Sequence, residues 1–283
     1  MGQTTIGANG LVTSWGSSGD DVYQLINGGI DCAKITFDDS ADALDDTAFN
    51  ASGVSAMTQK PGLRSWTATI EGFYPKTSKK VGNGGLVTFA AGDVVHIKSW
   101  DMTIENSEFE ITEFSGSNVT EKLFRPGPYK FSGSFEGYVD SAAAAARVTA
   151  AGTAPSSATF KISEEGVTDS TLSGSIFVNG LNVGIGVGEL NSKRYSFTGS
   201  GSVTHTFPAG LGLLSTSSPY VIVPSAWDGD SDGVPDRTLT WQAYSGRTYA
   251  GAAWWKSIQI TVGVGDLIKV SVGVRGAGAV TIS

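Results

Sequence analysis

The sequence predicts an all-β protein with one short helix, and three observations carry this prediction. Glycine supplies 38 of the 283 residues, nearly twice its usual share. Charged residues make up 16% of the chain, while hydrophobic residues reach 40%, which is enough to form cores. Several segments alternate between apolar and polar residues with a period of two, the pattern of a half-buried strand. We therefore expect many strands joined by tight turns.

An internal repeat divides the chain. Residues 35–75 realign without a gap on residues 100–140 at a shift of 65, and residues 185–204 realign on 262–281 at a shift of 77. The first register places one Pro-Gly pair on another, and the second places one Gly-x-Gly-x-Val-Thr segment on another. Repeats of this kind predict one module that is present twice.

The order of the repeated pieces predicts how the two modules are connected. The first-half unit occurs twice in succession, and the second-half unit then does the same. Nesting explains this order with short, unthreaded connections, so we expect an inserted module at 93–207 within a discontinuous outer module formed by 1–92 and 208–283. A crossed pairing of the halves is the alternative.

The first part of the chain contains an arm and a strand. Residues 1–30 are rich in glycine and serine and predict an arm or an irregular edge. A strand is expected at 33–38, followed by a loop of acids from Asp38 to Asp46.

Clear alternation follows at 64–74, where Trp66, Ala68 and Ile70 share one face and polar residues occupy the other. The repeated segment keeps these faces, with Phe131 and Phe135 pointing inward.

The remaining elements are a loop, a helix and further strands. The Gly/Asn cluster within 76–92 predicts a turn or a long hairpin loop. Five consecutive alanines within 141–150 predict a short helix, begun by Asp140 or Ser141 and ended by Gly152. Residues 208–220 form a Pro/Gly/Ser connection. Strands are expected at 157–163, 172–184, 193–206, 238–244, 253–263 and 267–275.

One acidic loop has the spacing of a calcium site. Asp228, Asp230 and Asp232 alternate before Gly233, and Asp236 follows. Alternating carboxylates with a glycine at the turn can wrap oxygen ligands around Ca²⁺, and such an ion would be structural. An EF-hand needs a glutamate at the twelfth position, where this chain has Leu239, so a solvated acidic turn is the alternative.

The residues that catalysis needs are not grouped along the chain. His96 and His205 are the two histidines, and neither lies near a nucleophile motif. Ser200 and Ser202 lie between glycines but lack the helix that follows a nucleophile elbow. We therefore predict a protein that is not an enzyme and that requires no cofactor.

Composition also restricts which partners the protein can bind and in which cellular compartment it is expected. A net charge of −8 and a pI near 4.8 disfavour a surface that clasps nucleic-acid phosphates. The single cysteine, Cys32, excludes an intrachain disulfide framework. The N-terminus shows no secretory signal and no segment is apolar enough to span a membrane. We expect a soluble protein made in a cytoplasm.

Four segments resemble the tail tube proteins of long-tailed bacteriophages. They are Ser-Ala-Asp-Ala-Leu-Asp-Asp-Thr-Ala-Phe at 40–49, Pro-Gly-Leu-Arg-Ser-Trp-Thr-Ala-Thr-Ile-Glu-Gly-Phe-Tyr at 61–74, Gly-Asp-Leu-Ile-Lys-Val at 265–270 and Gly-Ala-Gly-Ala-Val-Thr at 276–281. The inserted copy differs from these four segments at several positions, so its surface need not match that of the outer copy.

This resemblance implies a fold and a function. Each module would be a small β-sandwich or barrel flanked by a short helix. Subunits would join into stacked rings that form a tube in the virion tail, through which DNA passes into the host without specific binding. Two modules per chain predict trimeric rings with pseudo-sixfold symmetry, with hexameric rings as the alternative. An acidic lumen would repel DNA phosphates. The expected partners are further copies and other tail proteins, with 1–30 and 76–92 as contacts between rings.

Two other classes remain open. A virion decoration or adhesion module of immunoglobulin-like build would share the Gly/Thr/Ser-rich strands and could use the acidic loop. A carbohydrate-binding β-sandwich needs clustered exposed aromatics, for which Trp254-Trp255 is the candidate pair. Alternation predicts that one of these two tryptophans lies in the core.

Overall fold

The computed structural model describes residues 12–15, 31–45, 59–74, 87–89, 92–94, 97–112, 121–138, 156–165, 168–184, 192–206, 220–222, 238–244 and 247–283. These ranges contain strands and no helix, so the all-β prediction is confirmed, and the helix predicted at 141–150 lies outside them. The strands are β1 (Val12–Trp15), β2 (Asp31–Asp45), β3 (Gln59–Tyr74), β4 (Val87–Phe89), β5 (Gly92–Val94), β6 (Ile97–Glu110), β7 (Phe124–Tyr138), β8 (Ser156–Glu165), β9 (Thr168–Gly184), β10 (Ser192–Thr206), β11 (Tyr220–Ile222), β12 (Thr238–Tyr244), β13 (Arg247–Gly263) and β14 (Ile268–Ile282).

These strands form one open antiparallel sheet. Its main order is β2-β3-β14-β13-β6-β7-β10-β9-β8-β4-β5. Strand β13 carries two partners along one edge, because β12 pairs with its first part and β6 pairs with residues 257–263. Strand β1 adds to β12, and β11 pairs with the end of β10.

The sheet has two halves, one formed by β2, β3, β14, β13 and β12 and the other by β6, β7, β10, β9 and β8. Each half bends back on itself, and we call each bent half a curl. Phe37 on β2 contacts Trp241 on β12 with ring centroids 5.1 Å apart, although three strands separate β2 from β12 in the sheet order. Trp100 on β6 and Phe160 on β8 meet in the same way at 5.5 Å. Each curl thereby encloses apolar side chains, and the buried residues of both belong to one continuous core.

The predicted alternation of β3 and β7 is confirmed. Trp66, Ala68 and Ile70 are buried on one face of β3, and Phe131 and Phe135 are buried on β7. Strand β14 behaves as predicted through its first half and then extends beyond residue 275 to Ile282.

The prediction of an acidic loop from Asp38 to Asp46 is wrong, because β2 continues to Asp45. β2 lies at the edge of the sheet, where charged side chains remain in solvent and are tolerated. Two of its acids also have partners: Asp39 forms an ion pair with Arg64, and Asp42 forms one with Lys122 at 2.8 Å.

The strand pairing recurs at the two offsets seen in the sequence. Every pair between β6 and β7 at 97–106 matches a pair between β2 and β3 after subtraction of 65, including an irregularity after Cys32 and another after Ile97. All pairs between β9 and β10 at 172–184, except Ser175 with Ser200, match pairs between β13 and β14 at a shift of 77. Bulges recur with them, and bulges are specific features of a sheet.

Packing over glycine recurs at the same offsets. The ring of Trp66 lies over Gly251 and Gly276, so closely that a Cβ atom at Gly276 would lie 2.2 Å from Cε2 of the ring. Phe131 lies in the same way over its own two glycines, Gly174 and Gly199. An aromatic ring in each curl therefore replaces the side chains that these strands lack.

Strand β3 pairs with β14 and β7 pairs with β10, while β6 and β13 pair across the two halves of the sheet. The division into an outer module (1–92 and 208–283) and an inserted module (93–207) stays a prediction.

Candidate functional site

The contact between β6 and β13 joins the two curls. Seven residue pairs run from Ser257 opposite Glu105 to Gly263 opposite Ser99. On the core side of this contact, Ile258 and Ile260 are each 3% exposed. Their neighbours on β6 are equally buried, at 1% for Trp100, Met102 and Ile104. The sheet thus passes from one curl to the other through a fully packed strand pair.

A segment at residues 121–124 contacts β3, β13 and β14 outside the residues that form this strand pair. The Lys122 backbone N–H donates to the Arg64 carbonyl oxygen at 2.7 Å, which ties the segment to β3. The Trp254 Nε1–H donates to the Phe124 carbonyl oxygen at 3.1 Å. The Arg275 guanidinium lies 3.7 Å from the centroid of the Phe124 ring, a cation–π contact.

Both tryptophans of the candidate glycan-binding pair are buried. Trp255 packs in the core at 5% exposure, whereas Trp254 is 1% exposed on the opposite face and lies beneath residues 121–124. Alternation predicted that one of them lies in the core, but it could not predict that a distant segment covers the other. The pair therefore presents no exposed aromatic surface for a sugar.

Asn106 supports the irregular register beside Trp255. Its side chain is 5% exposed, and its Nδ2–H donates to the Trp255 carbonyl oxygen at 2.8 Å. The pairing of β13 with β14 shifts register between Trp255 and Ser257, which is where this carbonyl lies. An amide donor is needed here because a buried carbonyl without a partner is costly.

Several edges of the sheet have no strand partner among the described residues, and two of them lie on long strands. One is the outer edge of β2, which pairs with β3 alone. Another is the edge of β9 beyond Ile176, where its pairing with β8 ends. Two large apolar side chains on this part of β9 are exposed, Leu181 at 41% and Val183 at 44%. Unpaired N–H and C=O groups beside exposed apolar residues form a template for another strand.

The polar face of the sheet carries charges in pairs. Lys34 lies 3.5 Å from Glu71, Lys98 lies 3.1 Å from Glu136, and Lys130 lies 2.8 Å from Glu105. The hydrogen bond to Glu136 raises the pKa of Lys98 above its usual value. Exposed acids also cluster on β2 at Asp38, Asp39 and Asp42, of which the last two form ion pairs with Arg64 and Lys122.

The predicted calcium ligands Asp228, Asp230, Asp232 and Asp236 lie outside the described residues, as does His96. Within the described ranges, no three His, Cys, Asp or Glu side chains are grouped to hold a metal ion. Ser200 and Ser202 are exposed on β10 beside Gly201, whose φ of 84° marks a bulge in the strand. Among the described residues of the chain, no helix is long and apolar enough to cross a membrane.

The sheet combines the packed pair of β6 and β13 inside the chain with open edges on β2 and on β9. Comparison with protein-family models and with curated proteins found no match for this chain.

Proposed function

We propose that this chain is a structural virion protein that polymerises into stacked rings, forming a tail tube that conducts DNA into the host cell. The observation that carries the proposal is the continuous sheet, which runs through two similar curls and ends in open edges. A chain with open sheet edges is suited to edge-to-edge association, since pairing in an assembly removes the liability of those edges.

Ring size follows from the repeat. A head-to-tail contact between different surfaces closes into a ring when its rotation permits. Three chains would contribute six curls, so a trimer gives a pseudo-sixfold layer, and a ring of six chains would give twelve. We propose the trimer, because the sequence resembles proteins whose single modules form rings of six.

Charge supports passage of DNA without retention. The net charge of −8 disfavours phosphate binding, and three lysines on the polar face of the described sheet, Lys34, Lys98 and Lys130, lie beside acids. The acidic lumen remains a proposal, and other tail proteins are the proposed partners of the finished tube.

Electron microscopy of the purified protein tests the function. Negative-stain images over a range of concentrations should show rings or stacked rings with a central channel. Discrete knobs at every concentration would contradict the proposal and favour the alternative of a decoration or adhesion module.

A further inference from the structure

We propose that the outer edge of β2 in one copy pairs with residues 180–184 of β9 in a second copy, in the register that β6 and β13 use within the chain. This inference rests on the proposed function, because it supplies the contact from which a ring would grow. The proposed contact between copies is based on the contact between β6 and β13 within the chain. Strand β2 corresponds to β6 at the shift of 65, and β9 corresponds to β13 at the shift of 77.

The two shifts define the partners. The intrachain pair Ser257 and Glu105 maps onto Gly180 and Ser40, because 257 − 77 = 180 and 105 − 65 = 40. The same mapping along the strand gives Leu181 opposite Asp39, Asn182 opposite Asp38, Val183 opposite Phe37 and Gly184 opposite Thr36. Both shifts hold for every strand pair of residues 180–184 with β10 and of residues 36–40 with β3, which are the segments used in this mapping.

The exposed side chains on β9 indicate that this part of the strand lacks a neighbouring strand. Leu181 and Val183 are 41% and 44% exposed, while Ile258 and Ile260 at the corresponding positions of β13 are each 3% exposed. The difference arises because β6 covers β13 and no described strand covers this part of β9. A strand placed as β6 is placed would bury both side chains.

The apolar face of β2 complements the exposed apolar side chains of β9. Ile35 and Phe37 are partly buried against the core, whereas Trp100 and Met102 at the corresponding positions of β6 are 1% exposed. Val183 of one copy would then lie opposite Phe37 of the next. Because β2 and β9 stand at different places in the sheet, each copy offers one of each, and the contact can repeat head to tail.

The contact between copies differs from the contact within the chain in two ways. Asp39 replaces Ile104, and Ala41 replaces Asn106 with its hydrogen bond to the Trp255 carbonyl. Asp39 is already paired with Arg64, which reduces the cost of placing a carboxylate beside Leu181. We therefore expect the contact to be weaker than its intrachain counterpart, as suits a subunit that must first fold alone.

Paired cysteines test this register against a built-in control. Asp38→Cys with Asn182→Cys places thiols on directly opposed positions of different copies, and Thr103→Cys with Gln259→Cys places them on the corresponding positions of one chain. A short bismaleimide reagent should join the first pair into dimers and higher ladders on a denaturing gel. It should join the second pair within a monomer. Single-cysteine variants control for the native Cys32.

The outcomes separate this contact from the proposed function. A ladder without rings in electron microscopy would support the contact and contradict the tube. Rings without a ladder, when the Thr103/Gln259 pair closes, would overturn the contact and leave the tube intact. No ladder and no rings would overturn both. As a second measurement, Val183→Lys should reduce self-association in sedimentation at least tenfold, while Val264→Lys, on an exposed turn at 56% exposure, should not. Equal association of the two variants would also overturn the contact.

Discussion

Gly276→Ala tests whether the ring of Trp66 occupies the space above a glycine pair. A Cβ atom at residue 276 would lie 2.2 Å from Cε2 and 2.3 Å from Nε1 of that ring. The ring has little room to move, because Trp66 is 2% exposed and its Nε1–H donates to the Gly278 carbonyl oxygen at 2.9 Å. The added methyl group must therefore displace a packed side chain.

The expected loss of stability combines three effects. Overpacking a tight core costs roughly 1–3 kcal/mol. Loss of the indole hydrogen bond adds about 1 kcal/mol. The lower backbone entropy of alanine in the unfolded chain returns about 0.5–1 kcal/mol. We expect Gly276→Ala to lower the free energy of unfolding by about 1–3.5 kcal/mol on these magnitudes.

Urea unfolding followed by circular dichroism measures this change. Combining Gly276→Ala with Trp66→Leu removes the ring, so the alanine should then cost nothing or stabilise slightly, which gives a coupling of about 3 kcal/mol. Gly180→Ala is the matched control, because its Cβ atom would meet nothing closer than 3.4 Å. A Gly276→Ala protein as stable as the wild type, or a coupling near zero, would refute the packing described here.

Two further predictions concern buried polar groups. Asn106→Asp replaces the amide donor to the Trp255 carbonyl with a buried carboxylate, and should destabilise the fold by about 3 kcal/mol at neutral pH and less in acid, where a protonated carboxyl can donate; equal stability to exposed Asn182→Asp in urea unfolding would contradict this. Burial raises the pKa of the Tyr195 phenol, so the folded state keeps a proton that the unfolded state releases, and stability should fall as the pH rises beyond about 10. Tyr195→Phe should make that fall less steep in alkaline unfolding curves, and an unchanged slope would argue against it.

Sequence alternation predicted the faces of β3, β7 and β14 because each strand has one face in the core and one face in solvent. The bounds predicted for β12, residues 238–244, are those observed. The extent of β2 was not predictable in this way, since its acids resemble a loop until Arg64 and Lys122 are seen beside them.

Partner choice also lay beyond the sequence pattern. Alternation shows that β6 and β13 each have an apolar face, but it does not show that they pair. The burial of Trp254 depends on a segment far along the chain, at Phe124, which crosses above it. The two offsets of the repeat, by contrast, were exact in the sequence and reappear in the strand registers.

Cryo-electron microscopy of the assembled protein tests the central proposal most directly. We predict layers of three chains, six curls around a channel, with β2 of each chain paired to residues 180–184 of its neighbour. A layer of twelve curls would contradict the trimer, and particles without a ring would contradict the tube.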